Sequence, residues 1–97
     1  MDMFHTPLQL TILPDSGAFS HAEADRVCHL ATDGCTIRRI VVDMARADEA
    51  TTSAFARLVL LRRALLKAGR DLLLTNLHDR SASLYEVIRL NEVLPKI

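Results

Sequence analysis

The chain has 97 residues, which is the size of one domain with one hydrophobic core. Hydrophobic residues make up 49 % and charged residues 25 %, a composition that is typical of a folded domain and excludes a disordered chain. The 12 basic residues balance the 12 acidic ones, so no overall charge favours nucleic acid or an anionic membrane as a partner.

The termini and the cysteines bound the cellular setting. No stretch approaches the ~18 apolar residues of a membrane span, and the first residues lack the pattern of a signal peptide. We therefore expect a cytoplasmic protein that does not insert into a membrane. Cys28 and Cys35 are expected to be free thiols there. His21 and His29 lie near Cys28 without metal-ligand spacing, so no metal site and no cofactor are predicted.

The first half of the chain predicts a strand and a helix. The β-rich run Leu8–Leu13 lies between two prolines and is predicted to be the single N-terminal strand. Ser20 and Glu23 have capping-box spacing, so a helix is expected to begin at Ser20 and to end at Asp33-Gly34. Its core-facing positions fall at helical spacing: Ala24, Val27, Cys28 and Ala31.

Two further strand and helix pairs follow. Residues 36–44 form an apolar run, expected to be a strand covered on both faces, and residues 52–68 form an amphipathic helix that Gly69 ends. Residues 70–75 predict a third strand and residues 81–90 a third helix. The inward positions of that helix are expected to be Leu84, Tyr85, Val87 and Ile88. The alternating order predicts an α/β fold with a mostly parallel sheet and helices packed on it, in one domain spanning residues 1–97.

Three hydroxyl residues, Thr51, Thr52 and Ser53, stand where the second strand's loop meets the long helix. Ser and Thr are common helix N-caps, which is a purely structural role. A hydroxyl at a helix N-terminus is also a favourable phosphate site, because free N–H groups and the macrodipole stabilise an added dianion. The residues alone leave both roles open.

Charged residues around this helix give fewer signals. Its polar side carries four cations and no acid, which would attract an acidic partner or simply face solvent. These are Arg57, Arg62, Arg63 and Lys67. Asp43 ends its strand where α/β proteins place ligand residues. His78 and Asp79 are expected to point to different sides, and no catalytic motif is present, so we predict no enzyme.

The stretch from Ile40 to Pro95 resembles the STAS domain, the family of bacterial anti-sigma-factor antagonists, with weaker agreement from Leu8 onward. A strand ends in Asp43, a hydroxyl cluster begins the basic helix, and Gly69 precedes the strand segment LLLTN. The family's loop carries Asp-Ser-Ser-Gly or Asp-Thr-Ala-Gly. Here Thr51 takes the place of the Asp, and Ala54 the place of the Gly. The family's N-terminal hairpin and final helix are both expected to be missing.

The resemblance implies a STAS-like fold and a regulatory protein-binding module. In the family, a partner serine kinase that is itself the anti-sigma factor phosphorylates the second hydroxyl, which is Ser53 by position, with Thr52 beside it. The partner-binding residues would be Thr51, Thr52, Ser53 and Arg57. Some relatives are instead subunits of a lipid-transporting membrane complex and bind its ATPase, and there Thr52 would be the important hydroxyl. A third hypothesis is a homodimeric scaffold that pairs through an unpaired edge strand.

Overall fold

A four-stranded sheet is the frame of the computed structural model, which describes residues 1–33 and 36–97. The predicted helix end at Gly34 and the thiol of Cys35 lie outside the described residues. The elements follow one another as β1 (Asp2–His5), β2 (Gln9–Leu13), β3 (Ala18–Phe19), α1 (His21–Thr32), β4 (Arg39–Asp43), β5 (Glu49–Ala50), α2 (Thr52–Lys67), β6 (Asp71–Thr75), α3 (Asp79–Val87) and a 3₁₀ turn (Leu90–Glu92). The sheet order is β1-β2-β4-β6. β2, β4 and β6 are parallel and β1 is antiparallel, so the predicted mostly parallel sheet is confirmed.

The N-terminal hairpin β1–β2 corrects the prediction of a single strand. Met3 pairs with Ile12, and Thr6 N–H closes the turn by donating to the Gln9 carbonyl at 2.9 Å. All four residues of β1 are exposed. Because none of them faces the core, the sequence carries no alternation that would have identified the strand. Pairing with β2 decides its conformation.

The apolar core joins alternate strand residues to one side of α1 and α2. Ile40 and Val42 belong to it, whereas Val41 points to the opposite face of the sheet and is nevertheless only 2 % exposed. The predicted core side of α1 is confirmed, including the buried free thiol of Cys28. The core side of α2 consists of Ala54, Phe55, Leu58, Leu61 and Leu65.

Gly69 ends the long helix as predicted. Its φ of +75° lies in the left-handed region, which glycine adopts without steric cost, and its N–H donates to the Leu66 carbonyl at 3.1 Å. The chain can therefore turn directly from α2 into β6.

The third helix begins two residues earlier than predicted and ends at Val87. Tyr85 is buried, but Val87 is 75 % exposed, so its inward placement was wrong. Ser81 and Tyr85, one turn apart, are the helix's buried positions, and that spacing leaves Val87 on the solvent side.

The segment after α3 returns to the sheet. Tyr85 Oη donates to the Leu94 carbonyl at 2.8 Å, and Leu74 in β6 forms a parallel bridge with Lys96. Among the described residues, no helix combines the length and the apolar character that crossing a membrane requires.

Candidate functional site

The first turns of α1 and α2 lie side by side because the two short strands before them pair. β3 and β5 are parallel, with Phe19 opposite Ala50, and Thr51 N–H donates to the Phe19 carbonyl at 3.1 Å. Ser20 directly follows β3, and Thr51 directly follows β5. Because the two strands pair in parallel, the N-terminal ends of α1 and α2 lie beside each other. The candidate site is built on this pair of helix starts.

Each helix start has its own N-cap. Ser20 Oγ accepts the Glu23 N–H at 3.3 Å, and Thr51 Oγ1 accepts the Ala54 N–H at 3.0 Å. Both caps have extended backbone, as this position requires. Thr51 thus fills the helix-capping role that its residue type predicted.

Ser53 makes a different contact. Its Oγ lies 2.8 Å from Nδ1 of His21, the first residue of α1. Ser53 is exposed, and the His21 side chain is 54 % exposed, so a partner can reach both. Sequence reasoning missed His21, because 32 residues separate it from Ser53. The sequence does show that His21 and Ser53 each closely follow a helix N-cap. Predicting their contact from this would also have required knowing that β3 and β5 pair.

Two charged residues extend this contact into what we call the His21 network, which consists of Ser53, His21, Asp25 and Arg57. His21 Nε2 lies 3.5 Å from Asp25 Oδ2. Arg57 Nε donates to the other carboxylate oxygen, Oδ1, at 2.9 Å. Arg57, predicted to bind a partner, is therefore held by an acid on the neighbouring helix and is close to the predicted phosphoacceptor.

Thr52 faces another surface. It lies at one end of an open apolar groove of about 430 Å³ between α2 and the end of α3. Leu60, on the α2 side of the groove, is 56 % exposed. The groove is lined by Thr52, Ala56, Val59, Leu60, Ile88, Leu90 and Val93. Thr51 thus caps α2, Thr52 lines the apolar groove, and Ser53 belongs to the His21 network.

The predicted four-cation face is divided. Arg57 pairs with Asp25, and Arg62 Nε donates to Asp71 Oδ1 at 2.8 Å. The acids come from neighbouring elements, which the helix sequence alone does not reveal. Arg63 and Lys67 are exposed and have no ion pair among the described residues.

His78 and Asp79 are in contact, so the prediction that they diverge was wrong. His78 Nδ1 lies 2.8 Å from Asp79 Oδ2, and Nε2 lies 2.9 Å from the Ala45 carbonyl. The two residues stand at a helix start, where His78 is extended and Asp79 has a φ of +50°, rather than on a regular element. The hydrogen bond with Asp79 is the main cause that raises the pKa of His78. Asp48, His78 and Asp79 together form a cluster of side chains that can ligate metals. Both ring nitrogens of His78 are already hydrogen-bonded, to Asp79 and to the Ala45 carbonyl.

Asp43 supports the loop after β4 rather than a ligand position. Its Oδ1 accepts the Ala45 N–H and the Asn76 side-chain amide, each at 3.0 Å. These bonds hold the β4 and β6 ends together.

Comparisons with known proteins show the fold. No family model matches the chain, and the curated proteins contain no significant match. Among solved structures, the chain is similar to a sulfate transporter family protein from Wolinella succinogenes. The TM-score is 0.69 at 22 % identity, over 87 % of this chain and 70 % of the other. The STAS-like fold expected from the sequence is confirmed.

Proposed function

We propose that this STAS-like domain is a non-enzymatic regulatory module that binds a protein partner through the start of α2 and is switched by phosphorylation of Ser53. The partner is a cytoplasmic anti-sigma-factor-like serine kinase, and the module needs no cofactor. One observation carries the proposal: Thr51 caps α2, so the exposed Ser53 hydroxyl is not needed as the helix cap and is available for modification.

A phosphate on Ser53 would change this surface strongly. It adds roughly 1.5 to 2 negative charges at neutral pH, at the first turn of α2. The helix N-terminus and Arg57 stabilise the dianion, so the domain itself tolerates the modification. A partner surface that packs against the neutral hydroxyl must instead desolvate the phosphate, which weakens the complex.

Binding of the cognate kinase to a matched set of variants tests the switch. Ser53→Asp carries the charge, and Ser53→Asn has nearly the same shape without it. We expect Ser53→Asp to weaken binding at least about tenfold relative to Ser53→Asn, which corresponds to about 1.4 kcal/mol. Mass spectrometry after incubation with kinase and ATP should place the phosphate on Ser53. Equal affinities of the two variants, or a phosphate elsewhere, would refute the proposal.

The apolar groove favours a second candidate, docking to the ATPase subunit of a lipid-transporting membrane complex. Thr52, the hydroxyl that matters in that hypothesis, lies at the end of the groove, and exposed Leu60 offers apolar contact area. A buried Leu contributes roughly 1.5 to 3 kcal/mol to such an interface. Leu60→Asp should then abolish binding of the ATPase subunit, and Ser53→Asp should preserve it. If Ser53→Asp weakens partner binding and Leu60→Asp does not, the kinase is favoured as the partner.

A further inference from the structure

We propose that His21 is the positioning and proton-accepting residue of Ser53, so that Ser53 rather than Thr52 is the reactive hydroxyl of the cluster. The inference rests on the proposed phosphorylation for its biological use. The contact between the two side chains lies within this chain, so the reactivity of Ser53 can be measured without a kinase.

The contact distance fixes the arrangement of the hydroxyl. Ser53 Oγ and His21 Nδ1 are 2.8 Å apart, which is the usual length of a hydrogen bond with a hydroxyl donor. An Oγ that donates to a ring nitrogen is held in one rotamer and directs a lone pair away from the ring. Because the paired strands β3 and β5 hold both helix starts, the contact does not depend on a flexible loop.

The negative charge of Asp25 favours the histidine tautomer that this bond needs. Nδ1 can accept the Ser53 proton only if the proton of the neutral ring is on Nε2. Asp25 Oδ2 lies 3.5 Å from Nε2 and favours the proton there. Arg57 holds the other oxygen of Asp25 at 2.9 Å, so the carboxylate cannot turn away without breaking an ion pair.

The transfer step balances within this geometry. A kinase partner supplies a nucleoside triphosphate. The bond between Ser53 Oγ and the γ-phosphorus forms, the bond from that phosphorus to the β–γ bridging oxygen breaks, and the nucleoside diphosphate leaves with the electron pair. The hydroxyl proton passes to His21 Nδ1. The resulting imidazolium lies between the new phosphate and Asp25, where both anions stabilise it.

Neither neighbouring hydroxyl contacts a histidine in the part of the chain that the structure describes. Thr51 Oγ1 accepts the Ala54 N–H as a cap, and Thr52 lines the apolar groove. Within the described part of the chain, Ser53 is the member of the cluster that contacts a histidine. Selectivity between adjacent hydroxyls is thus set by the neighbouring helix.

A fluorophosphonate probe tests the inference on the whole protein without a kinase. In this reaction the Ser53 Oγ–phosphorus bond forms, fluoride leaves, and His21 takes the proton. The rate constant of labelling is measured by mass spectrometry with peptide mapping. We expect His21→Gln to slow labelling of Ser53 by about 100-fold, the usual lower limit for loss of a general base. The control His29→Gln, an exposed histidine of the same helix, should leave the rate unchanged.

Labelling of Ser53 at equal rates in the wild type and in His21→Gln overturns the inference, and so does equal labelling of Thr52 and Ser53 in the wild type. Circular dichroism verifies that the variants are folded. Nitrogen NMR on the wild-type protein gives an independent answer: in the neutral ring, Nδ1 should be unprotonated and Nε2 protonated, and Asp25→Asn should weaken this preference. The reverse tautomer in the wild type also overturns it.

The two proposals fail separately. If labelling depends on His21 but Ser53→Asp and Ser53→Asn bind the kinase equally, the switch is wrong and the reactive serine stands. If labelling is independent of His21 while the charge variants differ, the switch stands and His21 is only a neighbour.

Discussion

Thr51 Oγ1 accepts the backbone N–H of Ala54 at 3.0 Å, whereas the hydroxyl of Ser53, two residues later, contacts a histidine on another helix. Thr51→Ala should therefore lower the free energy of unfolding by about 1 kcal/mol, the usual cost of losing an N-cap. Ser53→Ala should change it by less than about 0.5 kcal/mol, as exposed positions do. Urea denaturation of both variants measures this difference, and a larger loss for Ser53→Ala would contradict the assignment of the cap.

The ion pair of Arg62 distinguishes it from its neighbour Arg63. The Arg62 side chain is 17 % exposed, bonds Asp71 and also donates to the Val93 carbonyl at 3.4 Å. Arg62→Ala should cost up to about 1 kcal/mol of stability, the upper range for a partly exposed pair. Arg63→Ala, the matched control, should be neutral within about 0.5 kcal/mol. Chemical denaturation decides this, and equal costs would show that the pair contributes nothing measurable.

The fold followed from the sequence wherever a segment carries a clear burial pattern or a residue with special backbone freedom. The parallel strands, the core side of α1 and the end of α2 at Gly69 each carry a pattern with one dominant physical cause: burial, helical spacing or left-handed backbone. Strand β1 carries none, because its residues are all exposed and only hydrogen bonding to β2 makes it a strand.

The candidate site followed from the sequence only in part. The hydroxyl cluster was visible because Thr51, Thr52 and Ser53 are adjacent in the chain. Their three environments were not, since His21 reaches Ser53 through the pairing of two-residue strands that have no sequence signal of their own. Contacts between elements distant in the chain follow from topology, not from local pattern.

Tyr85 ties the C-terminal segment to the core. Its Oη donates to the Leu94 carbonyl at 2.8 Å in a buried setting. Tyr85→Phe preserves the ring but leaves that carbonyl without its donor, which should cost about 1 to 3 kcal/mol. Hydrogen exchange should accelerate at the Ile97 amide, which bonds Leu74 next to this contact. Unchanged stability and exchange would mean that water replaces the phenol fully.

Strand β1 supports the homodimer hypothesis, because its outer edge pairs with no other strand among the described residues and its Phe4 is 60 % exposed. If two copies pair there, the solution mass should double at high concentration. Met3→Pro should restore the monomer, because the register with β2 turns the Met3 N–H toward the free outer edge and proline removes it. Met3→Lys is the matched control that retains the backbone donor and removes only the apolar side chain, which is 47 % exposed. A monomeric mass at all concentrations for the wild type would contradict this mode of association.

His78 makes stability depend on pH. In the folded protein, the hydrogen bond with Asp79 raises the pKa of the His78 imidazole above its ordinary value of 6.5. A raised pKa means that the folded state binds the proton more tightly than the unfolded state. The stabilisation is therefore fully present below pH 6.5 and is lost as the pH rises through the folded pKa.

Melting temperatures of wild type and His78→Gln, compared at pH 5.5 and pH 9, check this dependence. The melting temperature of the wild type should exceed that of the variant by more at pH 5.5 than at pH 9. At pH 5.5 the protonated ring donates hydrogen bonds to both Asp79 and the Ala45 carbonyl. The same substitution in an Asp79→Asn background is the control, and there the pH dependence of the difference should shrink, since the main cause of the raised pKa is gone. A difference that grows toward pH 9 would show that the neutral ring, not the imidazolium, stabilises the loop.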